Sequence, residues 1–376
     1  MKKRFFIVSD IEMGKRDLMD DFSDDHVFAH FIQTILEKSK KDEEVFLILN
    51  GDIFDFMKMD YKGAHTRYIT EAVSSWKLDQ VLESHQLVFK ALRHFLQHEN
   101  KNVFFVIGNH DFDLIWPALQ EKIRNHLGKS KRVDFAYSFE YEKLHVEHGN
   151  LQDPFYKNDV KRPFTSYKGQ KLLNLPVGSY VFFSELAHFK RKFAKEEQFY
   201  PRERIEEFFP EYGKAINGIK KRYFWKALTE PFIHFDDPTY RIDIRPFFKH
   251  VLKFGLDFIN DERFLPSRLT SMMKRFPHKR FFVSGHAHLF KNITFKDKRF
   301  FITDTWRNEY HLLKKGNPKK EKSYAELEFE GSYLHNAQLH VFAFDDGVKM
   351  ERAVDGEVIG QKIRAPGATE LLRTRA

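Results

Sequence analysis

The stretch VFLILNGDIFDF, residues 45–56, joins a continuous apolar run to a glycine and two carboxylates, Asp52 and Asp55. A run that is apolar at every position predicts a strand buried on both faces. Open α/β sheets gather their ligands where such strands end. Two further runs of this kind, Arg4–Val8 and Val103–Ile107, lie in the same half of the chain. Helical patterns separate them. Asp24 or Asp25 is placed to cap a helix whose apolar face is Val27, Phe28, Phe31, Ile32, Ile35 and Leu36, and a second helix is predicted over Leu78–Leu96. Strand–helix alternation predicts an α/β core.

Working outward, four more predicted strands end in chemistry-bearing residues. SDIE carries Asp10 and Glu12, IGNHD carries Asn109 and His110, EHGN carries His148, and SGHAH carries His286 and His288. Each motif alone is weak, since a Gly-Asp or His-x-His pair is more often a turn or a satisfied polar pair. Five strand ends bearing Asp, Asn or His argue for one shared site. Carboxylate, amide oxygen and imidazole without sulfur suit Mn²⁺, Zn²⁺ or Fe better than the all-oxygen shells of Mg²⁺ and Ca²⁺.

Composition sets the outer bounds. The 376 residues include no cysteine, which excludes disulfides and thiolate metal sites and suits a reducing compartment. The apolar run before Ser9 is too short for a signal peptide, and no stretch has the roughly 18 apolar residues of a membrane span. The expected location is cytoplasmic, with peripheral contact at the inner membrane face. A net charge of +9 is compatible with phosphorylated metabolites, nucleic acid or acidic lipid and does not choose among them.

Three segments are predicted: a core from 1–154, a largely helical insertion over 155–261, and a second core segment over 262–376 closing in a basic tail. The insertion holds 24 aromatic residues, and its 20 lysines and arginines outnumber its 14 aspartates and glutamates. Helical stretches are expected at Ser179–Phe193 and Ile216–Leu228. Its basic runs, HFKRKFAK (188–195) and IKKRYFWK (219–226), suit phosphate, nucleotide or an anionic membrane, or are solvated faces. Strand patterns resume at Arg280–Ser284, Arg299–Thr303, Tyr324–Glu330 and Leu339–Phe344, with an Asp346-Gly347 turn signal after the last.

Taken together, the five motifs resemble the calcineurin-like metallophosphoesterases, whose pattern is D-x-H, G-D-x-x-[DE], G-N-H-[DE], H-G-x and G-H-x-H. Four blocks match in full and the first matches at Asp10 only. NGDIFDF, IGNHDFD and EHGNLQD look most like the UDP-2,3-diacylglucosamine diphosphatase branch, as does Asp304-Thr305-Trp306 beside that branch's Gly-Asp-Trp. The resemblance covers 1–154 and about 280–310. It implies a four-layer α/β/β/α sandwich with a cap, and two divalent ions, Mn²⁺ first with Zn²⁺ or Fe as alternatives. Asp10, Asp52 and His288 would hold one ion, with Glu12 in the usual histidine's place; Asp52 would bridge to a second held by Asn109, His148 and His286. Such ions, about 3.5–4 Å apart, activate water and neutralise phosphoryl oxygens. His110, oriented by Asp55, would stabilise or protonate the leaving oxygen, although Asp55 equally fits a capping aspartate.

Glu12 is the departure, and three readings of it compete: a carboxylate ligand, a group outside the ligand sphere, or the mark of a weakened first metal position. The implied reaction is hydrolysis of the pyrophosphate of UDP-2,3-diacylglucosamine or a similar nucleotide-lipid, with the insertion as lid and membrane contact. Alternatives are a nuclease or phosphodiesterase acting on nucleic acid, a phosphomonoesterase, and a non-catalytic binding protein. No substrate-binding residue is assigned.

Overall fold

The computed structural model describes residues 2–200, 204–240, 265–312, 321–345, 348–354 and 357–358. In chain order, β1 (Lys2–Val8), α1 (Asp25–Lys38), β2 (Glu44–Asn50), α2 (Glu71–Ser84), α3 (Gln86–Gln97), β3 (Lys101–Val106), α4 (Pro117–His126), β4 (Val133–Ala136), β5 (Ser138–Tyr141) and β6 (Leu144–Glu147) come first. A hairpin, β7 (Phe164–Tyr167) and β8 (Gln170–Leu173), leads to α5 (Val177–Val181), α6 (Ala187–Lys192), β9 (Phe199–Tyr200), α7 (Ile205–Phe208) and α8 (Pro210–Ile233). The rest comprises α9 (Leu265–Arg275), β10 (Phe281–Ser284), β11 (Lys291–Phe295), β12 (Lys298–Ile302), β13 (Tyr310–His311), β14 (Lys322–Glu330), β15 (Tyr333–Asp345), β16 (Val348–Val354) and β17 (Glu357–Val358).

Two sheets form the centre, one in the order β16-β15-β14-β1-β2-β3-β4 and the other β17-β11-β12-β10-β6-β5. β1 to β4 run parallel to one another, β14 joins β1 antiparallel, and β10 runs parallel to both β6 and β12. Alternation along β1 explains the layering. Phe6 and Val8 face a core with Phe28, Phe31 and Ile32 of α1 and Phe89 and Leu92 of α3, whereas Phe5 and Ile7 face Val146, Val283 and Phe301 of the other sheet. That second sheet turns Phe282, Phe300 and Ile302 outward to Leu269 and Met272 of α9. The layers are helix, sheet, sheet and helix, the α/β sandwich expected. Every predicted strand is found, each extended or trimmed by a few residues.

Two helical expectations need correction. The helix predicted over Leu78–Leu96 is two, broken at His85, whose backbone (φ −114°, ψ 40°) leaves the helical region. The His85 ring is fully buried between Asp25 Oδ1 (2.8 Å) and Asp20 Oδ2 (3.1 Å), so two ion pairs outweigh continuation of the helix. At α1, Asp24 occupies the N-cap but its side chain makes no cap bond; it ion-pairs instead with Lys322 at 3.4 Å. The stretch Ser179–Phe193 is helical as expected, running through α5, a π-helical turn at Phe182–Leu186, and α6. The Asp346-Gly347 turn, the basic tail and residues 201–203 and 241–261 of the insertion lie outside the described residues.

Candidate metal centre

The loops after β1, β2, β3, β6 and β10 carry the five motifs, so the parallel strands deliver them to one end of the sandwich. The delivery strains the chain. Asp10, Glu12, Asp52, His286 and His288 have φ between 48° and 64°, a left-handed region that non-glycine residues enter at a cost of about 1–3 kcal/mol each. Two glycines permit the close approach. A Cβ on Gly108 would lie 2.2 Å from Asp52 Oδ1, and one on Gly285 would lie 2.2 Å from Asp10 Oδ2.

Asp52, His148 and His286 converge with their ligating atoms within 4.8 Å of one another. His148 donates Nδ1–H to Asn50 O (2.9 Å), so in the neutral ring Nε2, 3.0 Å from Asp52 Oδ2, is a lone pair. Burial works against a proton there, but the Asp52 and Asp10 charges outweigh it and push the ring up to about 9, so an ion at Nε2 would take that proton's place. His286 Nε2 lies 3.2 Å from Asp153 Oδ2, so its Nδ1 is the free lone pair in the neutral ring. Burial holds the His286 ring below its ordinary range and favours that neutral form. Asn109 follows Gly108, and the next peptide N–H, that of His110, donates to Asp52 Oδ1 at 2.8 Å. Asn109 Oδ1 and His148 Nε2 are both buried without a hydrogen-bond partner. Two orphaned acceptors beside a carboxylate and a neutral imidazole form a donor set that fits a divalent ion.

Asp10, Glu12 and His288 also converge within 4.8 Å, in a different electrostatic setting. Both Asp10 oxygens accept from the His286 peptide N–H (3.2 and 3.1 Å), and Oδ1 lies 3.1 Å from His288 Nε2. Glu12 is fully buried, with Oε2 3.1 Å from Lys58 Nζ and 3.2 Å from Arg307 Nη1. Its Oε1 lies 3.3 Å from His288 Nε2. Burial opposes the charge on Glu12, but Arg307 and Lys58 outweigh it and hold the carboxyl well below its usual range. Lys58, itself buried, also meets Asp21 (2.8 Å), Asp55 (2.8 Å) and Glu197 (2.7 Å).

His110 Nδ1 lies 2.9 Å from Asp55 Oδ1, which also accepts the Lys58 peptide N–H at 3.1 Å. Asp55 therefore caps its turn and contacts His110 together. Burial works against protonation of His110, but the Asp52 and Asp55 charges overcome it and push the ring up to about 10.

Several contributors were not assigned from the sequence. Lys58 stands three residues after Asp55, and Arg307 follows Asp304-Thr305-Trp306, but no pattern marks either as a partner of Glu12. Asp153 pairs with Arg268 (2.6 Å) and also bonds His286. Asp111 ties two ligand loops together by accepting from Gly108 N (2.7 Å) and Ile53 N (2.8 Å). Burial and the Asp52 charge push Asp111 up to about 7. The segment after β12 pins the first loop, with Trp306 N and Thr305 Oγ1 donating to Asp10 O at 2.9 and 2.8 Å. From the insertion, Glu197 reaches Arg307 Nη1 at 3.1 Å, and Lys195 Nζ donates to Asp20 O at 2.7 Å. His145 is buried away from the cluster, stacked on Phe276 with ring centres 3.7 Å apart.

Comparison with known proteins bears on the family. Among solved structures, similarity is found to a dimetal phosphatase from Danio rerio (11% identity over 93% of this chain and 98% of that one, TM-score 0.35). Vacuolar protein sorting 29 from Cryptosporidium parvum matches at 10% identity over 94% and 97% (TM-score 0.35). A putative 5'-nucleotidase from Staphylococcus aureus matches at 12% over 90% and 54% (TM-score 0.34). No curated protein sequence matches the chain. The family model described as calcineurin-like phosphoesterase matches residues 3–218, more than half of the 376. With the five motifs gathered at one end of an α/β sandwich, the chain belongs to the calcineurin-like phosphoesterase family and is a metallophosphoesterase, a metal-dependent hydrolase of phosphoesters.

Proposed function

We propose that this enzyme cleaves the pyrophosphate of UDP-2,3-diacylglucosamine or a closely similar nucleotide-lipid. The observation that carries the hydrolytic reading is the pair of orphaned acceptors, Asn109 Oδ1 and His148 Nε2, beside Asp52 and next to the His110–Asp55 pair. Asp52, Asn109, His148 and His286 would hold a divalent ion, Mn²⁺ first with Zn²⁺ or Fe as alternatives. A divalent cation there supplies charge neutralisation for phosphoryl oxygens and acidifies water. The chain does the rest. Asp153 and Arg268 set the His286 ring, and Asp111 holds the Gly108 and Ile53 loops in register. Asp55 orients His110 so that its Nε2–H is available to donate to the leaving oxygen.

The nucleotide-lipid is supported by the motif resemblance and by residues 155–261, read as a cap. Glu197 and Lys195 tie that segment to the edge of the centre. On and just after α8, Trp225, Phe232, Ile233 and Phe235 are exposed beside Lys221, Arg222 and Lys226, which suits peripheral contact with an anionic lipid surface. No helix among the described residues is long and apolar enough to cross a membrane.

The test is metal-dependent release of UMP from UDP-2,3-diacylglucosamine by the purified enzyme. Cleavage of simple aryl phosphodiesters without any UMP release would overturn the substrate while leaving phosphoester hydrolysis standing.

A further inference from the structure

The resemblance implies an ion at Asp10, Glu12 and His288, and the residues there do not receive one as the histidine-rich set does. Every side-chain polar atom of the three already has a protein partner. The decisive contact is at His288 Nδ1, 2.9 Å from Arg307 Nη2. A guanidinium can only donate, so Nδ1 must be the acceptor and, in the neutral ring, the proton sits on Nε2. Nε2 is the atom that faces Asp10 Oδ1 and Glu12 Oε1, the position where an ion would need a lone pair. The same guanidinium spans Glu12 through Nη1, and Lys58 Nζ closes on Oε2 from another direction.

Arg307 and Lys58 are both nearly fully buried, so these charges are not surface side chains resting in a cleft. Two buried cations meet Glu12, Asp21, Asp55 and Glu197, and buried charges persist only when paired in this way. An arginine or lysine bound to Glu12 repels a divalent ion from the carboxylate it would need.

We propose that the chain supplies the cation of the first metal position itself: Arg307 and Lys58 bind Glu12 and set the His288 tautomer, so that a single divalent ion binds tightly, at Asp52, Asn109, His148 and His286. The proposal rests on the reading of those four residues as a metal site. Arg307 and Lys58 are positioning residues here, acting through Glu12 and His288.

Titration of the apo-protein with Mn²⁺, followed by dialysis, elemental analysis and electron paramagnetic resonance, tests it without reference to turnover. The expected result is one retained Mn²⁺ per chain with the uncoupled spectrum of an isolated ion, lost in His148→Ala and kept in Glu12→Gln. In Arg307→Met, which releases Glu12 and His288 Nδ1, a second Mn²⁺ should enter and the spectrum become spin-coupled. Two tightly held, spin-coupled ions in the unmodified protein, one of them lost in Glu12→Gln, would overturn the proposal and leave the metallophosphoesterase reading intact. No retained ion in the unmodified protein would overturn both. The count on the unmodified protein keeps the proposal falsifiable if Arg307→Met fails to fold.

Discussion

The two halves of the centre share the loop after β10 and use similar residues, yet they treat charge in opposite ways. Around Asp52 the chain leaves acceptors open: Asn109 Oδ1 is buried with no hydrogen-bond partner, and His148 Nε2 faces the Asp52 carboxylate with no donor between them. Around Glu12 it closes every acceptor with a lysine, an arginine or a histidine. Open buried acceptors cost stability and are retained where a cation completes them. Closed ones stabilise the fold and leave little for a ligand to gain. One half is built to bind and the other to hold its own shape.

His148→Ala should break the open half. Loss of an ion worth several kcal/mol to the transition state lowers kcat by on the order of a thousandfold. Steady-state kinetics beside elemental analysis would show activity and metal lost together, with the melting temperature of the metal-free protein little changed. Glu12→Gln attacks the closed half and should do the reverse. Removing one partner of a buried ion pair costs about 3–5 kcal/mol, read by chemical denaturation, while the retained metal stays the same. Equal loss of metal in both variants would erase the distinction. Asp153→Asn sharpens the open half by loosening the orientation of His286, and it weakens the Arg268 ion pair at the same oxygen. A fall of about 10–100-fold in metal affinity is expected by calorimetric titration, with Arg268 left in place.

The smallest effect is on pH dependence, at His85 beneath the loop that carries Asp20 and Asp21. Burial disfavours its charge, but Asp20 and Asp25 outweigh burial and raise its affinity for a proton above the ordinary value of about 6.5. A raised value in the folded state means that His85 stabilises fully below the unfolded value, and that this is lost as pH rises through the folded one. His85→Gln should therefore lose most stability in acid, with the gap to the unmodified protein narrowing toward alkaline pH in denaturation curves. A gap that does not change with pH would show that His85 acts by packing alone.

Much of the architecture was legible because it is written locally. β1, β2, β3 and β10 are short apolar runs, and a strand buried on both faces has no other way to appear in a sequence. Four of the five motifs follow those runs directly and the fifth follows β6, so their convergence follows from parallel strands ending on one side of the sandwich. The helix break at His85 was not legible, because its cause is Asp20 and Asp25, 65 and 60 residues away.

Glu12 marks the boundary between the two kinds of information. By itself the sequence determined that a carboxylate stands where the family pattern has histidine, at the end of a buried strand and among metal-binding residue types. Only the tertiary structure decided what that carboxylate faces. Lys58 comes from 46 residues away and Arg307 from 295, and no local pattern links them to residue 12. Charge pairing in a dry interior depends on distance in space, which the order of residues along the chain does not specify.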